Sequence, residues 1–209
     1  MKRKLFTNES SLNLKKQFYN TLIGASTLAV ILLSITLLVS CGNSNHSEKP
    51  EDIINKWVGK EIKFPQINTC AVLGKYKPCG ISIPKPYKIL IYTDSIGCTS
   101  CDLRIDVWKM LIKEADTVIS DKVDFVFYFN PKKNEDLSDL FKRENFKNMV
   151  YMDTKDELNK INHFPKTMEY QCFLLDGHNK ILAVGNPTLN GNVWELYKKT
   201  INDNIQSEN

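Results

Sequence analysis

Zinc ligands are scarce in this chain, which has three histidines and six cysteines among its 209 residues. Only Cys98 and Cys101 form a Cys-x-x-Cys pair. A structural zinc site needs four ligands, and neither a second such pair nor two closely spaced histidines supplies the other half, because His163 and His178 stand apart. We therefore expect no metal site, and we expect no bound cofactor.

A basic excess is missing from most of the chain. Of 28 basic and 24 acidic residues, five basic and one acidic precede Cys41, which leaves 23 of each after it. Nucleic-acid-binding domains carry clustered positive charge, whereas the charges after Cys41 alternate in sign. The composition therefore argues against a nucleic-acid partner. Internal repeats are also missing, and the length after Cys41 fits one domain with a substantial apolar core.

The one long apolar run, residues 22–39, follows a cluster of lysine and arginine side chains. This order is typical of a secretory signal. The run ends in Leu38-Val39-Ser40-Cys41, which resembles the lipobox of bacterial lipoproteins, in which the cysteine is lipidated and becomes the new N-terminus. We expect residues 1–40 to be a lipoprotein signal peptide and Cys41 to anchor the chain to a lipid membrane. The alternative is an uncleaved membrane helix, because about eighteen apolar residues approach the length that spans a bilayer.

Residues 41–52 are polar and lack apolar periodicity, so we predict a flexible tether there and a folded domain over 53–209. Near the start of that domain, Cys70 and Cys79 flank a stretch with turn residues. In an oxidising compartment this pair is a candidate structural disulfide. Two free thiols are the alternative.

Strand and helix patterns alternate along the domain. The expected strands are 88–92, 123–129, 149–152, 171–176 and 180–184. A helical face recurs directly after Cys101, formed by Leu103, Val107, Trp108, Leu111, Ile112 and Ala115. A helix between two strands makes a βαβ unit, so the first two strands should be parallel. Gly177-His178-Asn179 is a turn composition typical of an antiparallel hairpin between the last two strands.

With Cys98-Thr99-Ser100-Cys101 between the first strand and this helix, the order of elements resembles the thioredoxin fold over residues 87–201. Specifically, it resembles the extracytoplasmic thioredoxin-like lipoproteins of the cytochrome-maturation (TlpA-like) group. Phe173-Leu-Leu-Asp176, followed by Gly177 and Lys180-Ile-Leu, is similar to that group's hairpin, and 57–65 resembles its N-terminal segment. The resemblance implies an α/β, thioredoxin-like domain with a central mixed sheet flanked by helices and an N-terminal extension.

The same resemblance assigns roles to the two cysteines. Cys98 would be the nucleophile, lying just before the first helical turn, where free N–H groups and the helix dipole favour the thiolate. Cys101 would resolve the mixed disulfide. The implied activity is thiol–disulfide exchange with protein dithiols or disulfides and a membrane redox partner. The implied location is the cell envelope, lipid-anchored and facing the periplasm or at the outer membrane.

The sequence departs from the group's pattern at two positions. The proline expected before the hairpin falls on Tyr170, with Pro165 the nearest proline. The acid expected six residues before the first cysteine is Tyr92, and Asp94 is the closest acid. Cys172, near the missing proline, is either a core thiol, as an unpaired cysteine usually is, or a neighbour of the active pair.

A second function therefore also fits: a thioredoxin-like binding or scaffold lipoprotein whose Cys98–Cys101 bridge is structural or redox-inactive. A third, thiol peroxidase, fits less well. The sequence before Cys98 lacks the Pro-x-x-x-[Thr/Ser]-x-x-Cys pattern of such enzymes.

Overall fold

The computed structural model describes residues 19, 49–80, 85–95, 103–119, 122–132 and 136–207. The chain divides into two compact units, Met1–Ser47 and Glu48–Asn209, and every element below belongs to the second. Its described helices are α1 (Pro50–Trp57), α2 (Ile105–Val118), α3 (Ser138–Arg143), α4 (Glu157–Asn162) and α5 (Gly191–Ser207). Its described strands are β1 (Thr69–Val72), β2 (Lys75–Pro78), β3 (Tyr87–Thr93), β4 (Val123–Phe129), β5 (Val150–Met152), β6 (Cys172–Leu175) and β7 (Ile181–Val184).

Helix α1 begins inside the segment 41–52 that we predicted to be a tether. Pro50 occupies the start of the helix, where its fixed φ suits the first turn and its missing N–H is not needed. Two acidic residues in the first turn and Lys56 in the last complement the helix dipole. Burial of Ile53 and Trp57 holds the helix against the domain, so the folded part begins earlier than the polar composition indicates.

The seven strands form one mixed sheet in the order β2-β1-β5-β4-β3-β6-β7. Strand β3 pairs in parallel with β4, and β4 pairs in parallel with β5. The β1–β2 and β6–β7 hairpins are antiparallel, as are the β1–β5 and β3–β6 pairs. The predicted parallel βαβ unit, β3–α2–β4, is therefore present, as is the predicted hairpin.

Strand β3 is buried between two apolar clusters, one on each face of the sheet. Ile89 and Ile91 belong to the cluster that includes α2 and α5, whereas Leu90 and Tyr92 belong to the cluster that includes α1 and α4. This alternation follows from the two-residue period of a strand. It explains why the sequence of β3 is a continuous apolar run.

The segment β4-β3-β6-β7, with α2 between the parallel strands and α5 after the hairpin, has the strand order of the thioredoxin fold. The predicted fold class is therefore confirmed. The β1–β2 hairpin and β5 extend the sheet beyond β4. The C-terminal end of β3, from which the chain continues toward Cys98, lies beside the start of β6, since Ile91 is opposite Cys172.

Candidate functional site

The predicted thiol pair lies in residues 96–102, outside the described residues, as does the predicted lipidation site Cys41. The flanks of the pair are described. Thr93 ends β3 and is buried, and Asp94 and Ser95 follow it, both half-buried. On the other side, Leu103 is buried and Arg104 precedes α2. The described part of the candidate site consists of the side chains around these two attachment points.

Helix α2 begins later than the resemblance led us to expect. Its first residue is Ile105, four positions after Cys101, and Arg104 before it has a left-handed φ of 46°. A left-handed residue cannot lie within an α-helix, so α2 does not extend back to the cysteines. Cys98 lies outside the described residues, so the helix-start stabilisation of its thiolate stays a prediction.

Arg104 forms a hydrogen bond with the loop between β7 and α5. Its guanidinium Nη1 donates a hydrogen bond to the carbonyl oxygen of Thr188, in the loop between β7 and α5. That loop is itself fixed, because the Oδ1 atom of Asn186 accepts hydrogen bonds from the Thr188 backbone N and Oγ1 at 3.0 and 2.8 Å. The Asn186 backbone N donates to the Glu169 carbonyl at 2.7 Å. The start of α2 and the loops before β6 and after β7 are therefore connected.

Gln171 links the other attachment point to the segment before β6. Its Nε2 donates to Asp94 Oδ2 at 3.2 Å and to the Pro165 carbonyl at 3.0 Å. The Gln171 backbone carbonyl accepts from the Tyr92 N–H at 3.0 Å. No pattern in the sequence marks Gln171, because a glutamine before a strand is ordinarily a surface residue.

Tyr92 occupies the position at which the resemblance places a buried acid. Its hydroxyl donates to Asp156 Oδ1 at 2.6 Å, and the side chain is 1% exposed. Burial, and then the hydrogen bond and charge of Asp156, raise the pKa of the Tyr92 hydroxyl above its usual value. A carboxylate is thus present near this position, supplied by the residue before α4 rather than by β3.

The segment before β6 lacks the proline that the resemblance places at position 170. Pro165 lies on the loop before β6, where its carbonyl accepts the Gln171 hydrogen bond, and the peptide bonds of the described residues are all trans. Tyr170, at the expected proline position, is buried and ends a short 3₁₀ turn, Met168–Tyr170. The contact between this segment and the flank of the thiol pair is the hydrogen bond from Gln171 to Asp94.

Cys172 is a core thiol. It is 1% exposed, and burial raises its pKa. Its backbone carbonyl accepts from the Tyr197 hydroxyl at 3.1 Å and from the Gly185 N–H at 3.0 Å. The more ordinary of our two interpretations is therefore confirmed.

Cys70 and Cys79 form a disulfide with Cα atoms 5.0 Å apart. It joins β1 to the residue after β2, at the edge of the sheet away from β3. Cys70 is fully buried, and its strand pairs with β5 as well as with β2. This bridge is separated from the candidate site by two strands and stabilises the hairpin.

Among the described residues no group of three or more histidine, cysteine or acidic side chains is arranged to hold a metal ion. His163 and His178 are both exposed. No helix in the described ranges is long and apolar enough to cross a bilayer. The apolar run 22–39 lies outside those ranges.

The chain matches no model of a known protein family and no curated protein sequence. Among solved structures, a domain of a possible thiol-disulfide isomerase from Cytophaga hutchinsonii is similar, at 16% identity and a TM-score of 0.46 over 70% of this chain and 96% of that chain. StoA from Bacillus subtilis is 21% identical, with a TM-score of 0.43 over 63% and 99%. The reduced 2-Cys peroxiredoxin of Plasmodium vivax is 15% identical, with a TM-score of 0.48 over 73% and 98%. The thioredoxin-like fold follows from the strand order above, and these likenesses carry no conclusion about activity.

Proposed function

We propose that this protein is a membrane-anchored, extracytoplasmic thiol–disulfide oxidoreductase that exchanges disulfides with protein partners through Cys98 and Cys101. The observation that carries the proposal is the position of the pair along the chain. It lies between the C-terminal end of β3 and the start of α2 in a thioredoxin-like sheet. Ligand and reaction sites in α/β sheets form at the carboxyl ends of the parallel strands.

The flanks of the pair support this proposal. Asp94 is held by Gln171 and Arg104 by the Thr188 carbonyl, so both attachment points of residues 96–102 are fixed to neighbouring elements. Two cysteines separated by two residues close only a small loop, so little chain entropy is lost when a disulfide forms between them.

The proposed exchange is balanced in atoms and electrons. The Cys98 thiolate attacks one sulfur of a substrate disulfide, forms a mixed disulfide, and releases the other substrate sulfur as a thiolate that takes up a proton. Cys101 then loses its proton and attacks the Cys98 sulfur. The products are the Cys98–Cys101 disulfide and the second substrate thiol. Two electrons have moved from the protein to the substrate, and a membrane redox partner must return them.

The anchoring part of the proposal derives from the order of segments along the chain. Residues 1–40 would be the signal peptide, Cys41 the lipidated residue, and the short segment before α1 the tether to the folded domain. Because α1 begins at Pro50, the proposed tether is shorter than the predicted 41–52. Lipidation would place the domain close to the membrane surface.

Cys98→Ser should abolish reduction of insulin disulfides by dithiothreitol-coupled turnover, because the attacking sulfur is lost. Cys101→Ser should instead accumulate mixed disulfides, visible on non-reducing gels. Cys172→Ala is the matched control and should retain activity, since this thiol is buried in the core. Undiminished activity in Cys98→Ser would refute the proposal.

Two observations favour a second candidate, a thioredoxin-like scaffold lipoprotein with a structural Cys98–Cys101 bridge. Tyr170 stands where the resemblance places a proline, and Tyr92 stands where it places an acid. A scaffold of this kind would show no catalysed exchange in any variant, while Cys98→Ser would lower its stability.

A further inference from the structure

Strand β5 covers only part of β4. Its pairing with β4 begins at Phe127, opposite Val150, whereas β3, on the other side, pairs with β4 from Val123 onward. Residues 124–126 are half-buried, and 127–129 are buried. In the part of the chain that the structure describes, the first half of β4 therefore has an open edge on the side of β5. The open edge of a strand is a template for pairing with another chain.

The backbone of Phe125 faces this open edge. Along a strand, the N–H and C=O groups of successive residues point alternately to the two neighbouring strands. The Phe129 carbonyl accepts the Asp153 N–H at 2.8 Å, and Asp153 directly follows β5, so Phe129 points to the β5 side. Phe125 and Val123 precede Phe129 by an even number of residues and point the same way. The Val123 carbonyl is bound there by Lys85 Nζ at 3.2 Å.

A cavity of about 250 Å³ lies at the open edge, and Met149, just before β5, forms part of its apolar lining. Two aromatic rings of the lining are held by other rings. Phe125 meets Trp108 edge to face at a centroid distance of 6.4 Å, and Tyr151 stacks on Tyr128 at 4.6 Å. The walls of the cavity are therefore formed by packing within the domain, as is usual for ligand sites.

The charged groups of the cavity carry a negative excess. Two carboxylates, Asp116 and Asp124, and one ammonium, Lys85, line it. The Lys85 ammonium lies 3.8 Å from the Asp124 carboxylate, so these two charges offset each other. Asp116 lies on α2 and is exposed. A cationic group on a ligand would complement this remaining charge.

We propose that this cavity binds an extended peptide segment of a partner protein that carries a lysine or arginine beside an apolar residue. The segment lies along the first half of β4 and exchanges backbone hydrogen bonds with Phe125, as in strand addition to a sheet edge. The cavity takes the apolar side chain, and Asp116 attracts the cation. This site lies at the amino ends of the parallel strands β3 and β4. The thiol exchange is proposed at their carboxyl ends, so peptide binding does not depend on it.

The test uses the peptide acetyl-Lys-Val-Ile-Val-Lys-amide, titrated to millimolar concentration into the isotope-labelled full-length chain in detergent micelles. We expect a saturable shift of the Phe125 amide resonance in nuclear magnetic resonance spectra. The same peptide with N-methyl groups on two successive central residues cannot pair in either register. It should bind about tenfold more weakly, because a backbone hydrogen bond is lost. An unmoved Phe125 resonance, or equal binding of the methylated peptide, would overturn the inference.

The charge on α2 is tested by substitution. Asp116→Asn should weaken binding of the lysine peptide about threefold, the size expected for an exposed ion pair. Asp106→Asn is the matched control, because Asp106 is also an exposed acid of α2 but lies in its first turn, outside the cavity lining. It should leave the affinity unchanged. Equal affinities of the two variants, or equal binding of a peptide with glutamate in place of lysine, would contradict the proposed specificity.

Discussion

Both residues of the turn between β1 and β2 have left-handed backbone angles. Leu73 has a φ of 51° and Gly74 a φ of 72°, a combination that suits the right-handed twist of a two-residue hairpin. A Cβ atom on Gly74 would lie 2.1 Å from the carbonyl oxygen of Ser138. Glycine is required here for its φ and for the close approach of a second backbone segment.

Gly74→Ala should lower the free energy of unfolding by at least about 2 kcal/mol, because the new methyl group meets a backbone oxygen and a left-handed residue with a side chain costs about 1–2 kcal/mol by itself. Urea unfolding followed by fluorescence measures the change. Gly191→Ala is the control, since among the described residues no atom beyond its chain neighbours and its own helix backbone lies within 4 Å of its added Cβ. Equal stability of the two variants would contradict the structure of the turn.

Tyr92 predicts a pH dependence of stability. Burial, and then the hydrogen bond to Asp156, raise the pKa of Tyr92 above its usual value, so the unfolded chain loses this proton first. The protonated Tyr92 hydroxyl therefore makes its full contribution to the free energy of unfolding below about pH 10. This contribution is lost as the pH rises further, by at most about 1.4 kcal/mol per pH unit. Tyr92→Phe should show a shallower fall in unfolding free energy between about pH 9 and pH 11. An equal slope in both proteins would show that this hydroxyl ionises as readily in the folded state.

At the level of helices and strands, the core elements could be predicted from apolar periodicity. The residues at which elements near the candidate site begin could not. Strand β4 covers the predicted residues, 123–129, because branched and aromatic residues alternate there up to Asn130-Pro131. Helix α2 starts later than its apolar pattern because Leu103 is buried in the core without being helical. Arg104, the residue before α2, also donates a hydrogen bond to Thr188, a residue far away in the sequence.

At the scale of secondary-structure elements, the disulfide of the β1–β2 hairpin contributes to the free energy of unfolding. Replacing Cys70 and Cys79 with alanine should lower the free energy of unfolding by about 2–3 kcal/mol, because a loop of roughly ten residues is no longer closed in the unfolded chain. The comparison is best made in a Cys98→Ser background, so that the proposed Cys98–Cys101 pair does not respond to reductant. Dithiothreitol should then destabilise the parent and leave the alanine variant unchanged. If reductant affects both proteins equally, the hairpin bridge is not what it acts on.

For the whole molecule, the fold class could be predicted from the sequence, whereas the contacts on either side of the thiol pair are known only from the fold. The order of strands confirms a thioredoxin-like domain, and the resemblance at 173–180 predicted it because a hairpin sequence is read locally. The environment of the thiol pair could not be predicted in the same way. Gln171 and Thr188 reach Asp94 and Arg104 through the pairing of β6 with β3 and of β7 with β6. The site is therefore a product of the sheet and not of the Cys-x-x-Cys motif alone.

The reduction potential of the Cys98–Cys101 pair tests the central claim most directly. The full-length chain is equilibrated in graded thiol buffers, and the alkylated and disulfide forms are resolved by gel shift. We expect a reversible two-electron transition in the range bounded by about −270 mV, the value of thioredoxin, and about −120 mV, the value of a strong oxidant. Absence of any reversible transition would contradict the oxidoreductase proposal and favour the scaffold.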